Sequence, residues 1–123
     1  MLVTIAHAVL RVGAGLLFLQ HGLNKVFGSF GGTAQPLLST FGIAGVVELV
    51  GGVLLVIGCL TRPVAAVLLV EMLVAYATHA SEGKGLLPIQ NGGEEAALYA
   101  LIFLFLAAKG AGAYSVDAWR ADG

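Results

Sequence analysis

The sequence predicts an all-α integral membrane protein, a four-helix bundle forming one domain over residues 1–123. Three observations carry that prediction. Hydrophobic residues make up 59% of the chain, against roughly 45–50% in soluble domains. Charged residues make up 11%, less than half of the usual quarter, and the mean hydropathy is +0.96. The apolar residues gather into runs close to the roughly 20 residues that a bilayer core demands of a helix. Six Lys/Arg and seven Asp/Glu cannot cover the surface of a soluble fold this small. A formal charge of −1 offers no basic footprint, so the expected environment is the lipid bilayer and no nucleic acid is expected as a partner.

The first span covers residues 2–27 and contains Arg11. The second covers about 42–60 and contains Glu48. The third covers about 63–80 and contains Glu71. The fourth covers about 94–109, and its uncharged part, Ala96–Ala108, is the shortest of the four. Beside three longer spans it reads as a fourth, extended by its flanks. The runs are long and continuously apolar, without the period-2 alternation of strands.

The breaks between spans carry turn chemistry. Gly28-Ser29-Phe30-Gly31-Gly32-Thr33 ends the first span, and Pro36 lies in the loop. Thr61-Arg62-Pro63 joins the second to the third, with Pro63 in a first turn. Ser81–Gly85 and Pro88 separate the third from the fourth. Asn91-Gly92-Gly93-Glu94 has the spacing of an N-cap followed by an acidic N3 residue, and Gly110 and Gly112 stop the last helix.

The N-terminal run has no basic residue before it and Arg11 within it, so it reads as a retained span rather than a cleaved signal. Orientation follows the Lys/Arg bias. Four spans put Arg62, Lys109 and Arg120 on the side of the termini and Lys25 and Lys84 on the other, which predicts both termini in the cytoplasm. Cys59 is the only cysteine, so no intrachain disulfide, paired dithiol or cysteine-built zinc site is expected, and no metal site is predicted. Cys59 reads as a small apolar residue at a helix end.

Ionisable side chains at mid-membrane cost about 2.5–3.5 kcal/mol on insertion scales, so they usually face the bundle interior and pair. Arg11 lies nine residues beyond Leu2 and Glu71 nine beyond Arg62, each roughly 13 Å above the inner end. Spans one and three run the same way, so an Arg11–Glu71 ion pair is expected. A second polar layer lies nearer the outer end. It gathers Gln20, His21 and Lys25 from span one, Glu48 from span two, His79 from span three, and Glu94 and Glu95 opening span four. His21 and Lys25 stack four apart, and Glu71, Ala75 and His79 form a stripe at i, i+4 and i+8. Glu48 is the natural partner of Lys25 or His21. The competing reading is structural, with buried pairs that only fix helix register.

His21 and His79 could in principle be axial ligands, but two histidines without a supporting motif do not make a haem site. His7 sits near the inner end and is expected at the interface. Gly13, Gly15, Gly45, Gly51, Gly52 and Gly58 read as points of close helix packing. Gly51 and Gly52, one turn beyond Glu48, also thin that wall enough to admit a flat ligand or a neighbouring helix.

These polar positions resemble a known pattern. Arg11 followed by His21-Gly22-Leu23-Asn24-Lys25 resembles the first-helix signature of the DoxX family. Glu48-Leu49-Val50-Gly51-Gly52 and Gly58-Cys59-Leu60-Thr61-Arg62 are similar to its second helix and turn. Asn91-Gly92-Gly93-Glu94 and Gly110–Asp117 resemble its last-helix start and tail. The resemblance implies a four-helix protein of the bacterial inner membrane associated with redox chemistry, some relatives being quinone-linked subunits acting on reduced sulfur compounds. Other relatives are linked to oxidative-stress complexes, and distant ones are assembly factors. This chain lacks the dithiol of cysteine-dependent relatives.

Three functions are therefore weighed. The first is a quinone-linked redox component, with His21 or Lys25 donating to a carbonyl and Glu48 or Glu94 relaying protons. Arg11, Gln20, Glu71 and His79 would complete that pocket, and Gly51 and Gly52 would flank the cofactor. No redox centre is encoded, so electrons would come from a partner subunit or a substrate. The second is a non-catalytic adaptor holding a partner protein or a second copy of itself. The third is a small-anion carrier lined by Arg11, His21 and Lys25, for which four helices are few and no inverted repeat is evident.

Overall fold

The computed structural model describes residues 1–122, and within them the chain is all helical. The long helices are α1 (Leu2–Phe27), α2 (Thr40–Ile57) and α3 (Thr61–Ala80). A short α4 (Pro88–Asn91) precedes α5 (Glu94–Lys109), and α6 (Val116–Asp122) closes the chain. Helices α1, α2 and α3 are long and apolar enough to cross a membrane. Helix α5, at 16 residues, spans about 24 Å.

Neighbouring helices run antiparallel and pack in two tight pairs, α1 with α2 and α3 with α5, joined chiefly through α2 and α3. Glycine sets the first pair. A Cβ on Gly52 would sit 2.6 Å from the Leu19 nitrogen and 2.8 Å from the Gly15 oxygen, so the backbones touch where no side chain intervenes. The core between the pairs is aromatic and aliphatic. Phe18 packs edge-on against Tyr99 and Phe103 at centroid distances of 4.6 and 4.8 Å, beside Leu55, Leu68 and Leu106. Valines and leucines such as Val50, Val53, Val70, Val74, Leu101 and Leu104 point outward. The molecule thus buries charge and exposes hydrocarbon, as a bilayer requires.

Several boundaries differ from the sequence expectation. Helix α2 starts two residues early because the Ser39 hydroxyl caps the Gly42 N–H at 3.1 Å. It ends at Ile57, where Gly58 turns left-handed at φ 72° beneath Ser115. Helix α3 starts at Thr61 rather than Pro63. Asn91 does not cap α5: it ends α4, its Oδ1 accepts from the Gly93 N–H at 2.8 Å, and Gly93 takes the cap position. The expected loop and tail thus contain α4 and α6. The expected stop at Gly110 stands, with φ 87°.

Candidate functional site

The ends of the helices away from the termini enclose a cavity of about 300 Å³. Phe18, His21 and Lys25 come from α1, Glu48 from α2, Met72, Ala75 and His79 from α3, and Glu95, Ala96 and Tyr99 from α5, with Gly92 at the rim. Helical spacing explains the convergence. Phe18, His21 and Lys25 recur at i, i+3 and i+7, and Glu95 and Tyr99 at i and i+4.

The cavity is graded from wet to dry. Near the rim, His21 Nε2 lies 3.3 Å from Glu95 Oε1, and both side chains reach solvent. Deeper in, Lys25 Nζ donates to Glu48 Oε2 at 2.8 Å, where Glu48 is only 2% exposed. Its other oxygen, Oε1, is buried without a hydrogen-bond donor, and so are both oxygens of Glu71. The Phe18 and Tyr99 rings and Met72 form an apolar floor. An apolar floor under a few convergent polar groups is the general build of a small-molecule pocket.

The structure brings together His21, Lys25, Glu48, His79 and Glu95, as the sequence layer implied. It separates others. Arg11 does not pair with Glu71. Its guanidinium is buried at the opposite end, donating from Nε to the Leu55 carbonyl at 2.9 Å and from Nη1 and Nη2 to Ala111, Ala113 and Tyr114 at 2.6, 3.3 and 3.0 Å. The sequence depth estimate overlooked this because the tail folds back to supply the acceptors. Gln20 is exposed on a shallow surface with Asn24 and Phe30. Glu94 is exposed too, and its neighbour Glu95 takes the cavity position because one residue rotates a helix by about 100°. Glu71 stands behind the wall beside Glu48. Gly51 and Gly52 face Leu68 and α1 rather than the cavity. His7 is buried rather than interfacial, hydrogen-bonded to the Gly110 carbonyl at 2.9 Å and edge-on to Phe105.

Sequence reasoning missed Tyr99 as a wall and the anchoring role of the tail. Tyr99 carries a legible signal, four residues after Glu95. At the tail, Asp117 accepts from the Leu60 and Thr61 N–H groups at 2.9 Å each and so caps α3 from outside. Burial works against the Asp117 anion, yet these backbone donors and Arg120 hold its carboxyl below the ordinary aspartate range.

Residues 6–81 match the DoxX family model. An uncharacterized protein of Haemophilus influenzae is 42% identical over 119 residues, which cover 89% of this chain and 87% of the relative. No solved structure matches significantly. With well over half of its length matched by the family, and with three helices built to cross a bilayer, this membrane protein belongs to the DoxX family.

Proposed function

We propose that the chain is a component of quinone-linked redox chemistry in the bacterial inner membrane, with the cavity as its ring-binding site. The observation that carries this reading is the pairing of an aromatic floor, Phe18 and Tyr99, with donors and acceptors around one small space, His21, Lys25, Glu48 and His79. A quinone held there would supply reversible two-electron, two-proton chemistry. Lys25 and His21 orient carbonyl oxygens by donating to them. Glu48 holds or releases a proton, and Phe18 and Met72 exclude water from below. Electrons come from a partner subunit or a substrate.

In this reading α5, lengthened by its flanks, is the fourth span of the bundle. Arg62, Lys109 and Arg120 at the end of the termini support placing both termini in the cytoplasm, with the cavity near the outer surface. A second reading, a membrane adaptor, is favoured by one observation. An apolar groove of about 420 Å³ runs between α2 and α3, bordered by Val50, Gly51, Leu54, Val64 and Val67, where a partner helix could lie. The anion-carrier reading loses Arg11, which is committed to backbone carbonyls.

Mass spectrometry of small molecules co-purifying with the detergent-extracted chain tests the proposal, with an absorption spectrum alongside. A stoichiometric quinone that is lost from Glu48→Gln and His21→Ala supports it. A folded, monodisperse sample without quinone moves the reading to the adaptor.

A further inference from the structure

The Lys25–Glu48 pair is neutral, but a third buried group beside it, Glu71, has no counter-charge. Gly51 of α2 faces Leu68 of α3, whose side-chain carbons would lie 3.2 Å from a Cβ at that glycine. The two helices are antiparallel, so one turn toward the cavity end from each contact residue leads to Glu48 and Glu71. The two carboxyl groups stand within hydrogen-bonding reach of each other. Lys25 serves only Glu48 Oε2, and three carboxyl oxygens, Glu48 Oε1 and both of Glu71, are buried with no donor.

The titratable groups that line the cavity with Glu48 are His21 and Lys25 from α1, His79 from α3, and Glu95 and Tyr99 from α5. Two touching carboxylates beside a single ammonium would strand a net negative charge in an apolar wall. A metal cation would need several more oxygen ligands, and among the described residues no cluster of three His, Cys, Asp or Glu is placed to hold one.

We propose that Glu48 and Glu71 hold one exchangeable proton between them, so that the inner wall of the cavity is a proton-binding site. The Glu71 carboxyl O–H donates to Glu48 Oε1, the Glu48 carboxylate accepts Lys25 at Oε2, and the three groups together are neutral. His79, two turns beyond Glu71 on the same stripe of α3, lies on the route to the open end. The site exists whatever ligand the cavity takes, so this inference does not rest on the quinone reading.

Infrared spectroscopy of the full chain in detergent at neutral pH, with glutamate carboxyl carbons isotopically labelled, tests it. The expected result is a single protonated-carboxyl C=O band that moves with the label, shifts in D2O and disappears in Glu71→Gln. The glutamine amide can donate to Glu48 Oε1 in place of the acid, so that variant keeps the local hydrogen bond. A wild-type spectrum without such a band overturns the proposal even if the variant does not fold. A band that survives in folded Glu71→Gln also overturns it, as does one abolished by adding sodium at constant pH, which would mark a metal-cation site.

Discussion

Removing the Arg11 guanidinium while keeping its stem is expected to release the C-terminal tail and destabilise the whole chain. In Arg11→Met the methionine still fills the space between α1 and α2, but four carbonyl oxygens lose their donor. They do not lose equally. The Leu55 oxygen keeps the Gly58 N–H at 3.2 Å, and the Ala113 and Tyr114 bonds are part-buried, where water can replace the donor. Only the Ala111 oxygen, bonded at 2.6 Å in a buried setting, is stranded. One stranded carbonyl together with the lost charge-assisted bonds gives an expected loss of about 2–5 kcal/mol. The loss is concentrated at residues 110–115, so limited proteolysis should cleave there in the variant before the rest of the chain unfolds. Thermal unfolding in detergent should show a lowered midpoint. Arg11→Lys, with one compact donor group in place of the fork, should fall between. An Arg11→Met protein with an unchanged midpoint and a tail as protease-resistant as wild type would refute the reasoning.

Lys25→Met strands the Glu48 carboxylate and should cost about 3–5 kcal/mol in detergent unfolding, and adding Glu48→Gln should recover much of it. Gly52→Leu drives a side chain into the Leu19 and Gly15 backbone, so α1 and α2 must separate. A crosslink between cysteines placed on their facing sides should form more slowly, with a stability loss of at least about 1–3 kcal/mol. Asp117→Ala removes the external cap of α3 and should cost about 0.5–2 kcal/mol. Because folding lowers the Asp117 pKa, its contribution is complete above the unfolded value near 3.8 and fades as pH falls through the lower folded value. The wild-type minus Asp117→Ala difference should therefore shrink only in strong acid. Trp119, the single tryptophan, is 75% exposed on α6 and should be quenched by headgroup-level probes in vesicles rather than by deep acyl-chain probes.

Much of this molecule is legible along the chain because the bilayer imposes a simple code. Length and continuous apolarity mark α1, α2 and α3, and turn residues such as Gly28 and Gly110 mark where helices stop. Helical spacing also placed His21 over Lys25 and His79 on the stripe of Glu71 and Ala75, which is why four cavity residues could be named in advance. The misassigned partners share one cause. Rise per residue gives Arg11 and Glu71 matched heights, but the packed helices are offset, so Arg11 meets Leu55 and the returning tail while Glu71 lies one turn beyond Leu68 toward the cavity. The Glu94 and Glu95 choice turned on rotation about the helix axis.

The amino-acid sequence by itself determined the helical class and the three helices long and apolar enough to cross a membrane, because these depend on composition and on the length of apolar runs. Tertiary structure alone decided which charges meet. Gly15 against Gly52 brings α1 onto α2 and seats Lys25 on Glu48, while antiparallel packing of α2 on α3 sets Glu48 beside Glu71. The fold-back of residues 110–117 assigns Arg11 to backbone carbonyls and Asp117 to the start of α3. Such contacts join residues up to 103 positions apart, and no local pattern encodes them, because a buried polar group is satisfied by whatever donor or acceptor packing brings within reach.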